Sequence, residues 1–415
     1  MSKYNGVQKA WAFYDWANSV YSLVIATAIF PLFYEAIVPD TVEFLGMQWV
    51  NTELYSYVMA ASFLTVALMS PMLSGISDVK GNKKSFLAFF CYLGSFSTIA
   101  LYFFELDLGL GLLIMFLASI GFWGSLVFYN AYLPEIASVE EQDGLSARGF
   151  SYGYIGSSIL LIALLVAIQV LDMPVKWGFI ITGVWWLVFA QVTLRKLPSI
   201  EARENVSIFS GFKELQKVWN LTKEITGIRW FLGSFFVYSM GVQTVMIMAT
   251  LFGAKEIVDM PEAGLIISVL LIQFLAAVGA EACARLAGKF GGLAVIKGIV
   301  LGWIAICLIA YYITFAWQFY ALAALVGIVM GGVQSLSRST YASYIPGKED
   351  TASFFSFFDV TEKLGIVIGM VAYGLIEGLT GSMRNSVLVL IVFFVLGWVF
   401  LGKTQQQNRR GNSPA

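Results

Sequence analysis

The chain alternates long apolar segments with short polar ones. A helix crosses roughly 30 Å of hydrocarbon with about 20 apolar residues, because each residue adds about 1.5 Å. Twelve segments reach about that length, at residues 10–36, 54–76, 84–104, 108–133, 148–171, 177–197, 229–252, 262–287, 293–315, 318–341, 353–376 and 386–402. The pattern predicts an all-α fold, that of a polytopic membrane protein with twelve transmembrane helices.

The hydrophobic pattern lapses in the middle of the chain. Between residues 198 and 228, apolar residues recur at helical spacing among charged ones, which predicts an amphipathic helix on the membrane surface. The apolar positions are Phe209, Phe212, Leu215 and Val218 or Trp219. The predicted domains are an N-terminal six-helix bundle at 1–197, a cytoplasmic linker with this helix at 198–228, a C-terminal six-helix bundle at 229–402 and a cytoplasmic tail at 403–415.

Composition agrees with a membrane protein and narrows its chemistry. Of the 415 residues, 59% are hydrophobic and 12% are charged, which is too apolar for a soluble domain. The net charge of -1 gives no electrostatic reason to expect a nucleic-acid partner. The sequence has no histidine, so it lacks the usual metal ligand and any histidine proton relay. We therefore expect no metal and no cofactor.

Basic residues are distributed unevenly among the predicted loops. If both termini lie on one side, only Lys176, Lys255 and Arg384 of the 25 Lys and Arg fall in the outer loops. By the positive-inside rule, this distribution predicts that both termini are cytoplasmic. The polar start of the chain is short and precedes a long apolar segment, so we expect no cleaved signal peptide. The expected location is a cell membrane, the bacterial inner membrane, with a multi-pass topology.

Short motifs recur in the two predicted bundles. SGISDVKGNKK at residues 74–84 follows the second segment, and ARLAGKFGG at residues 284–292 follows the eighth. Asp78 precedes Gly81 by three residues in the first motif, and Gly288 takes the place of the acid in the second. Parallel repeats of this kind are a recurrent plan of transporters, with the substrate site near the midplane between the two repeats.

These and other motifs resemble those of the major facilitator superfamily. The residues around Asp78 and Gly81 resemble its signature between the second and third helices, although Ser74 stands where Gly is preferred and Val79 where Arg is preferred. Three longer blocks resemble one subgroup of that superfamily: YDWANSVYS at 14–22, YNAYLPEIA at 129–137 and GGVQSLSRSTYASYIP at 331–346, which is followed by FFSFFDVTEK at 354–363. The eukaryotic relatives of that subgroup are autophagy-linked vacuolar effluxers of amino acids. The resemblance implies a cavity lined by the first, fourth, seventh and tenth helices.

Polar residues within those four helices are the candidate substrate ligands. They are Asp15, Asn18, Asn130, Gln243, Gln334 and Arg338. A zwitterion needs one fixed anion and one fixed cation, so Asp15 is a candidate for its ammonium group and Arg338 for bidentate contact with its carboxylate. Burying an acid at a helix centre costs roughly 2.5 to 3.5 kcal/mol, although Asp15 near a membrane edge can stay hydrated or have a structural partner. The alternative is a gate, in which Arg338 and Asp15 pair with each other or with Asp359.

Further charged residues in or near the predicted spans are candidates for gating or coupling. They are Asp78, Arg148, Glu281, Arg285, Asp359, Glu362 and Lys363. Glu281 and Arg285 are four residues apart on one helix, which favours a structural ion pair over a proton-carrying Glu281. Asp78 is expected to brace its loop against the opposing half, and Arg148 to reach the membrane surface without a ligand.

Glycines recur at three- or four-residue spacing in two of the predicted helices. They are Gly149, Gly153 and Gly156 in the fifth segment, and Gly365 and Gly369 in the eleventh. Small residues at this spacing let helix backbones approach closely. We therefore predict close packing along both helices, either sliding or static.

The predicted function is secondary active transport by alternating access. The first hypothesis is an amino acid or related zwitterion as the small-molecule substrate, with protons as the coupling ion through Asp15 or Glu281. An exporter of drugs or amphiphilic, lipid-like compounds, suggested by the aromatic content of 16%, and a non-transporting membrane receptor are the alternatives. An enzyme is not expected, and GKFGG at residues 288–292 lacks the strand and Lys-Ser/Thr ending of a phosphate loop. The expected partners are the substrate and membrane lipids, and the expected state is a monomer.

Overall fold

The protein is built from helices of membrane-spanning length. A computed structural model describes residues 4–199 and 208–411. In this part of the chain, twelve helices are long and apolar enough to cross a membrane. Each overlaps one of the predicted segments, so the all-α class and the twelve spans are confirmed. Residues 200–207 of the predicted linker and 412–415 of the predicted tail lie outside the described residues, as do residues 1–3.

The elements before residue 200 form six of these spans. The helices are α1 (Gly6–Val20), α2 (Phe30–Ile37), α3 (Asn51–Lys80), α4 (Lys83–Ala100), α5 (Leu108–Ala131), α6 (Leu133–Ile136), α7 (Val139–Gln169) and α8 (Lys176–Lys196). A π-helical segment, Tyr21–Ile29, joins α1 to α2 in one continuous span, and a 3-10 turn, Leu101–Leu106, extends α4. The strands β1 (Thr41–Phe44) and β2 (Met47–Val50) pair antiparallel between α2 and α3.

The elements after residue 207 form the other six spans and a short helix before them. They are α9 (Ile208–Glu224), α10 (Thr226–Glu256), α11 (Glu262–Phe290), α12 (Gly292–Tyr312), α13 (Ala316–Tyr344), α14 (Thr351–Thr380) and α15 (Met383–Gly411). The helix predicted within the linker is confirmed as α9. On it Val218 is buried, whereas Phe212 and Trp219 are about half exposed.

Local chemistry explains where several elements begin and end. At the start of α1, the side chain of Asn5 accepts the backbone N–H of Gln8, and the Gln8 side chain accepts the N–H of Asn5, both at 2.9 Å. The motif glycine Gly81 ends α3 in the left-handed conformation, with a φ of 75°. Leu45 and Gly46 join β1 to β2 with φ values of 54° and 76°, as a two-residue hairpin turn requires.

The chain forms two compact units, and the first contains α1 to α5 and α8. It comprises Met1–Tyr132 and Tyr152–Leu215 in the parts that the structure describes. The α1 helix packs on α8, where the Thr193 hydroxyl donates to the carbonyl of Ala10 at 2.6 Å. Gly153 lies against the other side of α1, since a Cβ there would be 3.2 Å from the Asp15 carbonyl. These contacts fix the part of α1 that carries the first candidate residues.

The second compact unit comprises Leu133–Ser151 and Gln216–Ala415, in the parts that the structure describes. Its helices α11 and α13 run close together, because a Cβ on Gly327 would lie 2.6 Å from the carbonyl of Ile272. The α14 helix approaches α10 in the same way, and a Cβ on Gly365 would lie 2.8 Å from the Ser239 hydroxyl. The close packing predicted for the glycines is thus observed at Gly153 and Gly365, and also at Gly156 against Trp16 and at Gly369 against Met240.

The first turns of α7 belong to the second unit. The hydroxyl of Ser151 donates to the carbonyl of Ala277 at 3.0 Å, and Ala147 is buried against Ala280 and Ala284. Small side chains on both helices permit this close approach. This segment of α7 therefore packs against α11, whereas the rest of the helix is part of the first unit.

Candidate functional site

The carboxylate of Asp15 is buried and held by an aromatic partner. The hydroxyl of Tyr129 donates to Asp15 Oδ2 at 2.9 Å, and Asp15 is 4% exposed. Trp11 stacks on the ring of Tyr129 at a centroid distance of 4.6 Å, and its indole N–H donates to the Tyr129 carbonyl at 2.8 Å. The structure thus brings together the first two sequence blocks, and it presents one anionic group among aromatic rings.

Asn18 lies one turn after Asp15 and has an unsatisfied side chain. It is 1% exposed, and neither its Nδ2 nor its Oδ1 has a hydrogen-bond partner among the described residues. The buried hydroxyl of Tyr14 likewise has no hydrogen-bond partner among the described residues. An unsatisfied buried group costs about 1 to 3 kcal/mol, so native proteins rarely keep one without a reason. Asn18 can both donate and accept hydrogen bonds to a polar solute or to water.

The span changes its helical form directly after Asn18. From Tyr21 to Ile29 the backbone is π-helical, and the Thr27 hydroxyl donates to the Ser22 carbonyl at 2.8 Å, five residues back. π-helical segments are rare and are frequent at functional sites. Sequence reasoning missed this segment, and the nearest signal in the chain is Pro31, which lacks the N–H that an α-helix would use.

Asn130 follows Tyr129 at the end of α5. Its side chain is half-buried, whereas Tyr129 is fully buried. The two residues therefore differ in solvent exposure although they are neighbours in the chain. The described structure brings Tyr129 to Asp15, a partner that the sequence analysis did not assign.

Two acids and one lysine on α14 form a second group with Gln243. The Asp359 carboxylate accepts a hydrogen bond from the Lys363 ammonium one turn later, and both residues are buried. Glu362 instead accepts from the Gln243 amide at 2.6 Å, and in the part of the chain that the structure describes it forms no ion pair. In the described part of the chain, the Glu362 carboxylate therefore has a neutral hydrogen-bond partner, while the Lys363 ammonium bonds to Asp359.

Arg338 is buried and is held by the first turns of α7. Its Nε donates to the Ser146 hydroxyl at 2.9 Å and its Nη2 to the Ser146 carbonyl at 2.8 Å. The guanidinium lies 4.2 Å from the centre of the Phe150 ring, a cation–π contact. One form of the gate alternative pairs Asp359 with Arg338, whereas in the described structure Asp359 bonds to Lys363, its neighbour at i+4.

Residues beside Arg338 on α13 also contact other helices. Ser339 donates to Asp143 Oδ1 of α7 at 2.5 Å, and Ser337 shares a hydrogen bond with the Tyr238 hydroxyl of α10 at 2.7 Å. One turn earlier, the amide of half-buried Gln334 lies 3.5 Å from the sulfur of Met246. This stretch of α13 therefore bonds to α7 on one side and to α10 on another.

Glu281 faces Arg148 rather than Arg285. Arg148 Nε lies 3.8 Å from Glu281 Oε1, and both side chains are more than a third exposed. Arg285 is exposed and forms no ion pair with the described residues. The predicted Glu281–Arg285 pair is therefore wrong, because the first turns of α7 supply a closer cation than the same helix does. Arg148 accordingly has an acidic partner, which the membrane-surface interpretation of it did not assign.

The side chain of Asp78 is buried at the end of α3. Lys83 Nζ lies 3.2 Å from Asp78 Oδ1, across the turn at Gly81. This ion pair joins the end of α3 to the start of α4. No group of three or more Cys, Asp or Glu among the described residues is placed to hold a metal ion.

Comparison with known proteins gives the family. Residues 5–413 match the family described as vacuole effluxer Atg22 like. The chain is 32% identical to an uncharacterized transporter of the major facilitator superfamily type, YxiO of Bacillus subtilis, over 97% of this chain and 95% of that protein. It is 26% identical to autophagy-related protein 22 of Eremothecium gossypii, over 88% of this chain and 78% of that protein.

Solved structures show the same fold. The chain resembles FucP, a major facilitator superfamily transporter crystallised in the outward conformation, with a TM-score of 0.69 and 14% identity over 96% of this chain and 98% of that one. The relatives and the fold are those of transporters and not of enzymes. The chain belongs to the Atg22-like family, and it is a multi-pass transporter of the major facilitator superfamily.

Proposed function

We propose that this transporter moves an amino acid or a related small zwitterion by alternating access. The observation that carries the proposal is the buried pair of Asp15, held by Tyr129, and Asn18, whose amide has no partner among the described residues. A carboxylate beside an unsatisfied amide matches an ammonium group with its several donors. Asn130 of the first unit and Gln243, Gln334 and Arg338 of the second remain the other proposed substrate residues, and Arg338 is suited to a carboxylate.

Protons are the proposed coupling ion, with Glu362 as their carrier. Glu281, one of the two carriers expected from the sequence, is less suited because it is only half-buried and faces Arg148. Glu362 accepts a hydrogen bond from the neutral Gln243 amide at 2.6 Å and forms no ion pair with the described residues, so protonation removes a charge that no ion pair balances there. Asp359 and Lys363 neutralise each other and are proposed to hold Glu362 in position.

The remaining sequence expectations complete the proposal. Both termini are cytoplasmic, the membrane is the bacterial inner membrane, and the protein works as a monomer in contact with membrane lipids. The proposed domains are two six-helix bundles, at 1–197 and 229–402. Asp78, Arg148, Glu281 and Arg285 are proposed to act in gating, near the cytoplasmic ends of their helices.

Transport by purified protein in liposomes tests the proposed function. Uptake and efflux of a panel of labelled amino acids are measured with and without an imposed pH gradient. The proposal expects at least one amino acid to move in the presence of protein and to accumulate when protons flow down their gradient. If a dye or a lipid moves and no amino acid does, the protein is an exporter of amphiphiles. If nothing moves while a solute binds, it is a receptor.

A further inference from the structure

Four basic residues lie at one end of the second unit without an acidic partner. They are Lys223 near the end of α9, Arg229 at the start of α10, Lys297 near the start of α12 and Lys403 towards the end of α15. None of them forms an ion pair with the described residues, whereas Lys217 pairs with Asp350 and Lys255 with Glu377 in the same unit. Within the described part of the chain, no ion pair therefore balances the positive charge of these four residues.

The end of α15 brings these cations together. Lys297 of α12 lies 4.5 Å from the centre of the Trp398 ring, and a Cβ on Gly402 would be 3.7 Å from its Nζ. On the adjoining side of α15, Lys403 lies 5.0 Å from the ring of Trp230 on α10. Since residues 398 to 403 span less than two helical turns, both cation–π pairs sit at the same level of the fold.

The same place offers further positive and donor groups. Arg229 donates to the Lys223 carbonyl at 3.4 Å, which joins the end of α9 to the start of α10. The helices α10 and α12 both begin here without a side-chain cap, so their first N–H groups carry partial positive charge. The buried indole N–H of Trp398 has no hydrogen-bond partner among the described residues. An anion at this end would meet cations and donors together.

Exposed apolar residues continue from this cluster along α12 and α15. They are Leu301 and Leu308 on α12, and Val395, Leu396 and Val399 on α15. Because these helices are long and apolar enough to span the membrane, this ridge suits the acyl chains of a lipid whose phosphate is at the cationic end. Inorganic phosphate would use the cations but not the ridge.

We propose that Lys297, Lys403, Arg229 and Lys223 form a binding site for the phosphate of an anionic phospholipid. Trp398 and Trp230 hold the two lysines at the level of the headgroup, as aromatic residues do at membrane interfaces. The site binds phosphatidylglycerol or cardiolipin in preference to a zwitterionic lipid, because the positive charge of a choline headgroup repels these side chains. It lies at the ends of α10, α12 and α15 and is separate from the proposed substrate residues.

Native mass spectrometry of the full chain in detergent tests the site. Binding of phosphatidylglycerol, phosphatidylcholine and inorganic phosphate is titrated on the wild type and on the double variant Lys297→Gln/Lys403→Gln. We expect tight binding of phosphatidylglycerol to the wild type and on the order of tenfold weaker binding to the double variant. Lys255→Gln is the matched control, since Lys255 is an exposed lysine of the same unit whose charge Glu377 balances. It should bind as the wild type does.

A second variant separates charge from folding. Lys297→Arg/Lys403→Arg keeps both cations and their place over the tryptophan rings, so it should retain binding even if the glutamine variant folds poorly. Equal affinity for phosphatidylcholine and phosphatidylglycerol overturns the proposal, as does wild-type binding by a well-folded glutamine variant. Binding of inorganic phosphate as tight as that of the lipid also overturns it, because the ridge then contributes nothing. Loss of binding in the arginine variant would also overturn the proposal.

Discussion

Replacing Arg338 by lysine separates two roles for this buried cation. The guanidinium donates two hydrogen bonds in a fork, from Nε and Nη2 at 2.9 and 2.8 Å, and Phe150 covers its face. A substrate carboxylate would use the same fork in place of Ser146. Lysine keeps the charge but cannot present two parallel donors. Losing one charge-assisted hydrogen bond costs about 1.5 to 3 kcal/mol, which is roughly 10- to 150-fold in affinity.

Equilibrium binding and transport measured on the same preparation decide between these roles. We expect Arg338→Lys to raise the substrate Kd by that factor, while the maximal rate changes less. Ser146→Ala is the matched control, because it removes one contact of Arg338 and leaves the guanidinium intact. It should keep the substrate affinity. An unchanged Kd with slowed turnover in both variants would instead mean that Arg338 holds the first turns of α7 as a gate, and the proposed substrate contact would be wrong.

The other predictions concern Glu362, Asp15 and the packing of α13. Glu362→Gln keeps a hydrogen-bond acceptor for Gln243 but cannot carry a proton. Solute exchange should therefore persist, while accumulation driven by a pH gradient is lost. Retained accumulation would exclude Glu362 as the proton carrier. Asp15→Asn can still accept from Tyr129, and it should weaken binding of an amino acid roughly 10- to 150-fold by removing a charged partner of the ammonium, as isothermal titration would measure. Gly327→Leu should lower the melting temperature, because the larger side chain pushes α13 away from the Ile272 carbonyl at a cost of about 1 to 3 kcal/mol. Gly374→Leu is the control and should not lower the melting temperature, because open space surrounds that position.

The fold could be predicted because its main determinant is local. Each membrane span is one run of apolar residues, and the hydrocarbon thickness sets its length. The helix boundaries were harder to predict where polar turns continue a helix beyond the apolar run. The α7 helix begins at Val139, nine residues before the predicted segment at 148, because Glu140 to Asp143 are polar but helical. Hydrophobicity marks only the part of a helix that lies in lipid.

The candidate charges could be found from sequence, but their partners on other helices could not. Arg338 and Asp15 stand out because charge is costly in an apolar segment. Their partners Ser146 and Tyr129 lie far away in the chain and have no local signal, since serine and tyrosine are common in membrane helices. The spacing rule for Glu281 failed for the same reason, because it compares only residues of one helix and Arg148 comes from another.

Asn18 allows a test of whether the first unit sacrifices stability for a binding site. Its amide is buried without a partner in the described part of the chain, so replacing it by leucine, which has a similar size, should remove a desolvation penalty of about 1 to 3 kcal/mol. Asn51 is the matched control: it is also buried, but its amide donates to the Val38 carbonyl at 3.1 Å and accepts a hydrogen bond from the Thr52 N–H at 2.7 Å.

Without substrate, Asn18→Leu should therefore melt at a higher temperature than the wild type, and Asn51→Leu at a lower one. Substrate should raise the melting temperature of the wild type, since a ligand at 100 times its Kd stabilises by about 2.7 kcal/mol, but it should not raise that of Asn18→Leu. If both leucine variants melt lower, the Asn18 amide is satisfied in the free protein, by water for example, and it is not held ready for a solute. Stabilisation with transport intact would mean that the residue is a defect of packing, and only stabilisation with loss of transport supports a binding role.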